Sequence, residues 1–474
     1  MIDLLLVQPP MSARMGKDLG ARILGPNIGL AYIAAYIEAQ GLSVKVVDAL
    51  AEDLSLPHFA ARVRDLDPRC VGLSAMTYQI KSAARAADLV KQSRPEAAVL
   101  IGGSHASVLP ERTLEEFGSF DGAVIGEGEI TTLELLRGSA LAPQTPATDN
   151  PIPGACLRRD GRPEKGPPRP FIEDLDSLPF PAFHLFPLKN YFPFYSRTYK
   201  PELPISSSRG CPYRCSFCVT AMGKKIRLRS PESLVAEIRR DRDCFGVEQI
   251  VFTDENFTGN RERALAFCEQ IVSAGLNKEI NYICQSRVAV DRETLCAMRE
   301  ANFTHITFGI ESGSQEILDK AHKSITLAQS EQAVRWAHEL GMVTDGNFIL
   351  GLPYETRETI LQTIRFACRL PLDYASFFLL VPYPGTEVME MAKQGKAHLV
   401  LLSEDWDDYG KQVGGALAHR HLDRKTLESL QTLGYLRFYA RPRRLWGLFK
   451  KISAKTAVRY LAHTIRSIAL GPSR

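Results

Sequence analysis

The chain has 474 residues, 45% of them hydrophobic and 24% charged, with a formal net charge of +4. It is long enough for two or three domains with proper cores and has the composition of an ordinary globular protein. The charge is too small to imply a nucleic-acid partner, and the longest apolar run, Ile28 to Ile37, is too short to span a bilayer.

The first segment, MIDLLLVQPP, is apolar but contains Asp3 and no basic region, so it does not read as a signal peptide. Ten cysteines in such a chain argue for metal or redox chemistry in a reducing cytoplasm rather than for a disulfide framework.

Over residues 1–140, short apolar runs alternate with amphipathic segments. IDLLLVQ, SVKVVDA, CVGLSAM, AVLIGGS and GAVIGEG predict strands, and GLAYIAAYIEAQ predicts a helix that stops at Gly41. This alternation predicts an α/β, doubly wound parallel sheet. Residues 141–200 read as a linker, because 14 of the chain's 29 prolines fall between Pro143 and Pro204; Phe180, Phe183 and Phe186 are its expected anchors. Residues 201–395 hold a second strand–helix series: ELPISSS, QIVFTDENF, INYICQS, HITFGIES, VTDGNFILGLP and YASFFLLVPYP. Six such units predict a partial (β/α)6 barrel with its chemistry at the C-terminal strand ends. Residues 396–474 predict a helical extension. It is basic at its end: no acid follows Glu428, and ten Lys and Arg lie between Arg437 and Arg474.

The decisive stretch is SSSRGCPYRCSFC. Cys211, Cys215 and Cys218 form a CxxxCxxC pattern, which suits three irons of a cubane cluster. Three ligands leave one iron open for a small molecule, the mark of chemistry rather than structure. A zinc site would want a fourth ligand at comparable spacing, and none is near. With Phe217 before the last cysteine, the stretch resembles the signature of the radical S-adenosylmethionine (SAM) superfamily, over roughly residues 200 to 390. The resemblance implies a 4Fe–4S cluster whose open iron is chelated by SAM, and formation of a 5′-deoxyadenosyl radical. It also implies SAM contacts from Asp254 and Glu255 in FTDENF, from Arg287 after YICQS, and from Glu311 and Ser312 in GIESGS. GLPYET and PYPGT, with Gly351, Pro382, Pro384 and Gly385, resemble family loops but are weak motifs alone.

Three strand ends of the N-terminal domain are LSAMT, IGGSHAS and IGEGE. They resemble a cobalamin-binding domain, in which Ser74 and Met76, and the pair Gly102 and Gly103, would line the channel for the nucleotide tail. The usual Asp-x-His-x-x-Gly is replaced by QPPMSAR, so no histidine from that loop is expected on cobalt; His105 is expected to hydrogen-bond locally. Cys244, Cys268, Cys284 and Cys296 read as small core hydrophobes.

The chain thus resembles the cobalamin-binding-domain radical SAM enzymes. This implies a methyltransferase acting on an unactivated carbon, with oxidative cyclisation or another radical rearrangement as the alternative. A methylthiotransferase would need more N-terminal cysteines than Cys70, and a non-catalytic cobalamin or redox sensor would not need an open iron. No residue is assigned a catalytic role. The expected partners are a small-molecule or lipid-like substrate and a flavodoxin- or ferredoxin-type electron donor. No nucleic acid is expected. The basic segment from Arg437 suggests peripheral contact with a membrane.

Overall fold

The computed structural model describes residues 1–10, 25–138, 151–191, 201–219, 221–410 and 415–441. The N-terminal sheet is built from β1 (Ile2–Gln8), β2 (Val44–Asp48), β3 (Pro68–Ser74), β4 (Ala98–Gly102) and β5 (Gly122–Val124). These pair in parallel in the order β2-β1-β3-β4-β5. Leu4 to Val7 of β1 are all buried. Their alternation sends Leu4 and Leu6 to one face, under α1 (Ile28–Ala39), and Leu5 and Val7 to the other. There they meet Phe59 of α2 (Leu56–Leu66) and Ile80 of α3 (Ile80–Ser93). A strand covered on both faces needs such a continuous apolar run. The side chain of Asn27 caps α1, accepting from Leu30 N–H at 3.2 Å. Short helices α4 (Ser104–Val108) and α5 (Pro110–Glu116) follow β4, and α6 (Gly128–Arg137) follows β5.

The proline-rich stretch begins with two further strands, β6 (Ala155–Arg159) and β7 (Arg162–Lys165), which extend the same sheet antiparallel. Pro163 sits on the outermost strand, where a missing N–H is tolerated. Beyond it, Phe183 and Phe186 are buried, and the Arg240 guanidinium lies 5.3 Å from the ring of Phe180.

The second unit opens with β8 (Glu202–Ile205) and a two-residue ladder of β9 (Ser208–Arg209) with β10 (Arg227–Leu228). It continues through α7 (Pro231–Phe245), β11 (Gln249–Phe252), α8 (Arg261–Ser273), β12 (Asn281–Ser286), α9 (Arg292–Glu300) and β13 (Phe303–Glu311). After α10 (Gln315–Lys320) and α11 (Leu327–Glu339) come β14 (Val343–Leu350), α12 (Arg357–Arg369) and β15 (Tyr374–Leu379). The main sheet is six-stranded and parallel, in the order β15-β14-β13-β12-β11-β8. It is therefore the expected six-unit partial barrel, with β8 and β15 at its edges.

The chain then forms α13 (Glu387–Lys393), a β16 (Leu399–Leu401) and β17 (Leu417–His419) hairpin, and α14 (Arg424–Tyr439). This last helix covers the β15 edge. Tyr439 Oη accepts from Ala375 N–H at 3.2 Å and donates to its carbonyl at 3.1 Å, and Tyr435 does the same at Phe377 (3.2 and 3.3 Å). Two phenols thus stand in for a pairing strand.

Residues 442–474, most of the basic segment, lie outside the described residues. No described helix is long and apolar enough to cross a membrane.

Candidate functional site

The three cysteines lie in the loop that β9 and β10 close. Gly210 has φ +90°, and a side chain there would strike the Lys225 carbonyl, so the loop can begin only with glycine. It is pinned by Cys211 N–H to the Gly223 carbonyl, Ser216 N–H to the Ala321 carbonyl and Val388 N–H to the Ser216 carbonyl, each at 3.1 Å. All three thiols are free. Burial pushes the Cys218 thiol up to about 11, and the nearby Cys215 and Cys211 add to the rise. Three sulfurs crowded into one loop fit a cluster that binds each through a different iron. Phe217 packs against a small apolar cluster with Leu352, Leu380 and Val388.

Two cations face this loop. Arg287 is buried; its Nη1 lies 3.6 Å from Cys215 Sγ, its Nη2 donates to the Lys323 carbonyl, and its guanidinium stacks on Tyr213 at 3.6 Å. Two of its nitrogens are thus engaged, one at Cys215 and one at the Lys323 carbonyl, while its buried Nε has no hydrogen-bond partner. Lys323 is buried against Glu311, Nζ to Oε1 at 2.7 Å, and its charge partly opposes the rise at Cys218. Glu311 has φ +69° at a register shift in β13, an uncommon conformation for a non-glycine residue.

Asp254 and Glu255 part company. Asp254 is buried, and its carboxylate accepts from Ser207 N–H (3.3 Å), Ser207 Oγ (2.8 Å) and Ser208 Oγ. It anchors the turn leading into the cysteine loop, with Oδ1 taking both hydroxyls and Oδ2 the Ser207 N–H. Glu255 is solvent-accessible, has no side-chain partner among the described residues, and lies close enough to influence Cys218. Crowding by protein atoms still raises its carboxyl above the usual range, and Asp254 adds to that. Ser312 is fully buried, 3.1 Å from Thr363 Oγ1, and accepts from Ser314 N–H at 3.2 Å, fastening the loop onto α12.

In the N-terminal domain Ser74 is half-buried and Met76 is 54% exposed at the strand ends. Gly103 has φ +92°, and a Cβ there would lie 2.6 Å from the Ala75 carbonyl oxygen. At Gly102 a Cβ would meet nothing closer than 3.8 Å. His105 is buried, with Nδ1 3.3 Å from Thr77 Oγ1 and its ring edge-on to Trp406 at 4.9 Å. A cavity of about 420 Å³ lies where the β5 end (Gly126, Glu127), the linker (Phe171) and the cysteine loop (Val219, Ala221) meet, with Gly385 on its rim.

Of the remaining cysteines, Cys268 and Cys284 are buried in the core, where burial pushes the Cys268 thiol up to about 12. Cys244 is exposed and Cys296 half-buried, so the core reading fails for Cys244. Sequence reasoning missed Lys323, which no motif marks. It also missed the buried Glu127–Arg209–Arg227 network, signalled by the paired acids of IGEGE and by Arg209 two residues before Cys211.

Comparison with known proteins agrees with both halves. Residues 205–367 match the radical SAM superfamily and residues 21–136 the B12 binding domain. The chain is 34% identical over 445 residues to an uncharacterized methyltransferase of Pyrococcus horikoshii, covering 93% of each chain. It is 30% identical over 380 residues to the anaerobic magnesium-protoporphyrin IX monomethyl ester cyclase of Cereibacter sphaeroides, covering 78% of this chain and 61% of that one. The fold is shared with the radical S-adenosylmethionine methyltransferase TsrM of Kitasatospora setae at a TM-score of 0.68 and 20% identity, over 87% of this chain and 83% of that one. The chain belongs to the radical SAM enzymes that carry a cobalamin-binding domain.

Proposed function

We propose that this enzyme methylates an unactivated carbon of a small-molecule substrate. One observation carries the reading: the β5 end of the N-terminal sheet (Gly126, Glu127) and the cysteine loop (Val219, Ala221) line the same cavity. When bound, the cluster and SAM supply a hydrogen-abstracting radical, and cobalamin supplies a transferable methyl group. Cys211, Cys215 and Cys218 would hold the cluster, and Arg287 would brace it through Cys215. The solvent-facing Glu255 carboxylate suits the SAM ammonium, and like Lys323 it lies close enough to Cys218 to act on its thiol. Phe171, Val219 and Ala221 make the cavity wall apolar, which favours excluding water from the reacting centre.

The identity to the Pyrococcus methyltransferase over nearly the whole chain supports methyl transfer. The 30% identity to the cyclase keeps oxidative ring formation as a second reading. Anaerobically reconstituted protein is expected to bind about four irons and to cleave SAM on reduction by a flavodoxin- or ferredoxin-type donor. Replacing Cys211, Cys215 and Cys218 with Ala is expected to abolish both. SAM cleavage by the triple variant would overturn the reading. With substrate, a methylated product supports transfer and an oxidised product supports cyclisation.

We also place the enzyme in the cytoplasm, with peripheral membrane contact through the basic segment from Arg437, on the sequence pattern alone. Sedimentation with anionic liposomes is expected to require residues 437–474; equal binding without them overturns this contact.

A further inference from the structure

Glu127 opens α6 directly after β5, with its side chain almost completely buried. Its Oε1 accepts from Arg209 Nη1 at 2.8 Å and from Arg227 Nη1 at 2.7 Å, and its Oε2 accepts from Ile172 N–H at 2.7 Å. Arg209 Nη2 continues to Glu129 Oε1 at 2.7 Å. Two buried guanidiniums thus meet two buried carboxylates, and the network is neutral. Such a network contributes geometry more than stability, but it is costly to break on one side.

What it joins gives it a role. Arg209 and Arg227 face each other across the β9–β10 ladder, at the two feet of the loop that carries all three cysteines. One carboxylate of the N-terminal domain grips both feet. Glu127 and its neighbour Gly126 also line the cavity at the β5 end, where a ligand of a doubly wound sheet binds. Arg227 is further held by the Ile172 carbonyl (2.7 Å) and lies 4.7 Å over Phe171, another cavity residue.

We infer that Glu127 is a positioning residue through which the cobalamin-binding domain holds the cysteine loop, so that cobalamin at the β5 end stabilises the cluster on that loop. The inference rests on the cofactor placement proposed above. Its test is the rate at which a ferrous chelator strips iron from the reconstituted protein, with and without cobalamin. Cobalamin is expected to slow stripping of the wild type. In Glu127→Gln, stripping is expected to be at least about tenfold faster and insensitive to cobalamin, while the absorbance spectrum still reports cobalamin binding. The variant leaves one buried cation in excess, so the charge-neutral Glu127→Gln/Arg227→Gln pair is measured beside it. Fast, cobalamin-insensitive stripping in a double variant that melts like the wild type assigns the effect to the lost clamp rather than to misfolding. Wild-type stripping rates and cobalamin protection in both variants would overturn the inference alone. A wild type that takes up no cluster or no cobalamin would overturn the functional reading as well.

Discussion

Arg287 reaches from the end of β12 to place a guanidinium nitrogen 3.6 Å from the sulfur of Cys215, with its plane stacked 3.6 Å from the ring of Tyr213. Hydrogen bonds and positive charge at a cluster sulfur favour the reduced, more negative form and so raise the reduction potential. Arg287→Ala is expected to shift the cluster midpoint to more negative values, with Arg287→Lys recovering part of the shift. A redox titration followed by electron paramagnetic resonance reads it. An unchanged midpoint in Arg287→Ala would leave Arg287 as a purely mechanical brace of the loop.

Asp254 and Glu255 make opposite predictions although they are adjacent. Asp254→Asn puts an amide against the donors of Ser207 and Ser208. It is expected to cost about 2–4 kcal/mol of stability, as loss of a buried charged acceptor does. Glu255→Gln is expected to leave the melting temperature unchanged and to weaken SAM binding about tenfold, read by equilibrium dialysis. If Glu255→Gln binds SAM normally, the ammonium site lies elsewhere.

That contrast shows what could be read from sequence and what could not. The β1 run LLLV was legible because burial on both faces demands continuous apolar residues, and a barrel strand such as β15 because burial recurs at every second residue, at Ala375, Phe377 and Leu379. The cysteine loop was legible because all its candidate ligands lie within one short segment. Neighbouring carboxylates at a strand end are different. One is buried and the other exposed, and only the three-dimensional position of Ser207 decides which one it holds. Arg287–Cys215 and Lys323–Glu311 join separate loops of the barrel, so no local pattern announces them. The β6–β7 hairpin was hidden by surrounding prolines, although β6 itself contains none.

Glu355 carries a pH prediction. It lies in the GLPYET turn, fully enclosed, and accepts from Gly351 N–H at 2.5 Å and Leu352 N–H at 3.0 Å. Burial outweighs these hydrogen bonds and pushes its carboxyl up to about 8. The folded state therefore keeps a proton that the unfolded chain loses above about 4.5. Its contribution to stability is full below that value and falls as pH rises toward 8. Glu355→Gln keeps an acceptor without a titrating proton. The variant is expected to be more stable than the wild type at pH 8, relative to pH 6, by about 1 kcal/mol or more. Denaturant melts at the two pH values measure this, and parallel pH profiles would refute it.

The two glycines expected to line the cobalamin channel are not equivalent. Gly103 is required by the protein's own backbone: its φ is +92°, and a Cβ would collide with Ala75. Gly103→Ala is expected to cost about 1–3 kcal/mol and to weaken cobalamin uptake through distortion of the β4 end. Gly102→Ala is expected to alter neither, because its nearest neighbour would be 3.8 Å away. Melting curves and cobalamin absorbance together separate the two. Equal sensitivity of both positions would restore the simpler idea that each glycine merely makes room for the ligand.

His105 follows these glycines and is the histidine most suspect as a ligand of cobalt. It lies beneath Trp406, which Glu116 holds through the indole N–H at 2.6 Å while the Arg112 guanidinium sits 4.6 Å over the ring. Its Nε2 has no hydrogen-bond partner and its Nδ1 faces Thr77. Burial pushes the imidazole down to about 4, against the opposing charge of Glu116 and with that of Arg112, so it remains neutral near pH 7. A neutral imidazole is a competent ligand in principle; here the indole occupies the space next to it. The cob(II)alamin form is therefore expected to show no hyperfine splitting from a protein nitrogen, and His105→Ala is expected to leave that spectrum unchanged. Nitrogen splitting in the wild type that disappears in His105→Ala would mean that the Trp406 segment moves aside when cobalamin binds, and that His105 takes the axial position.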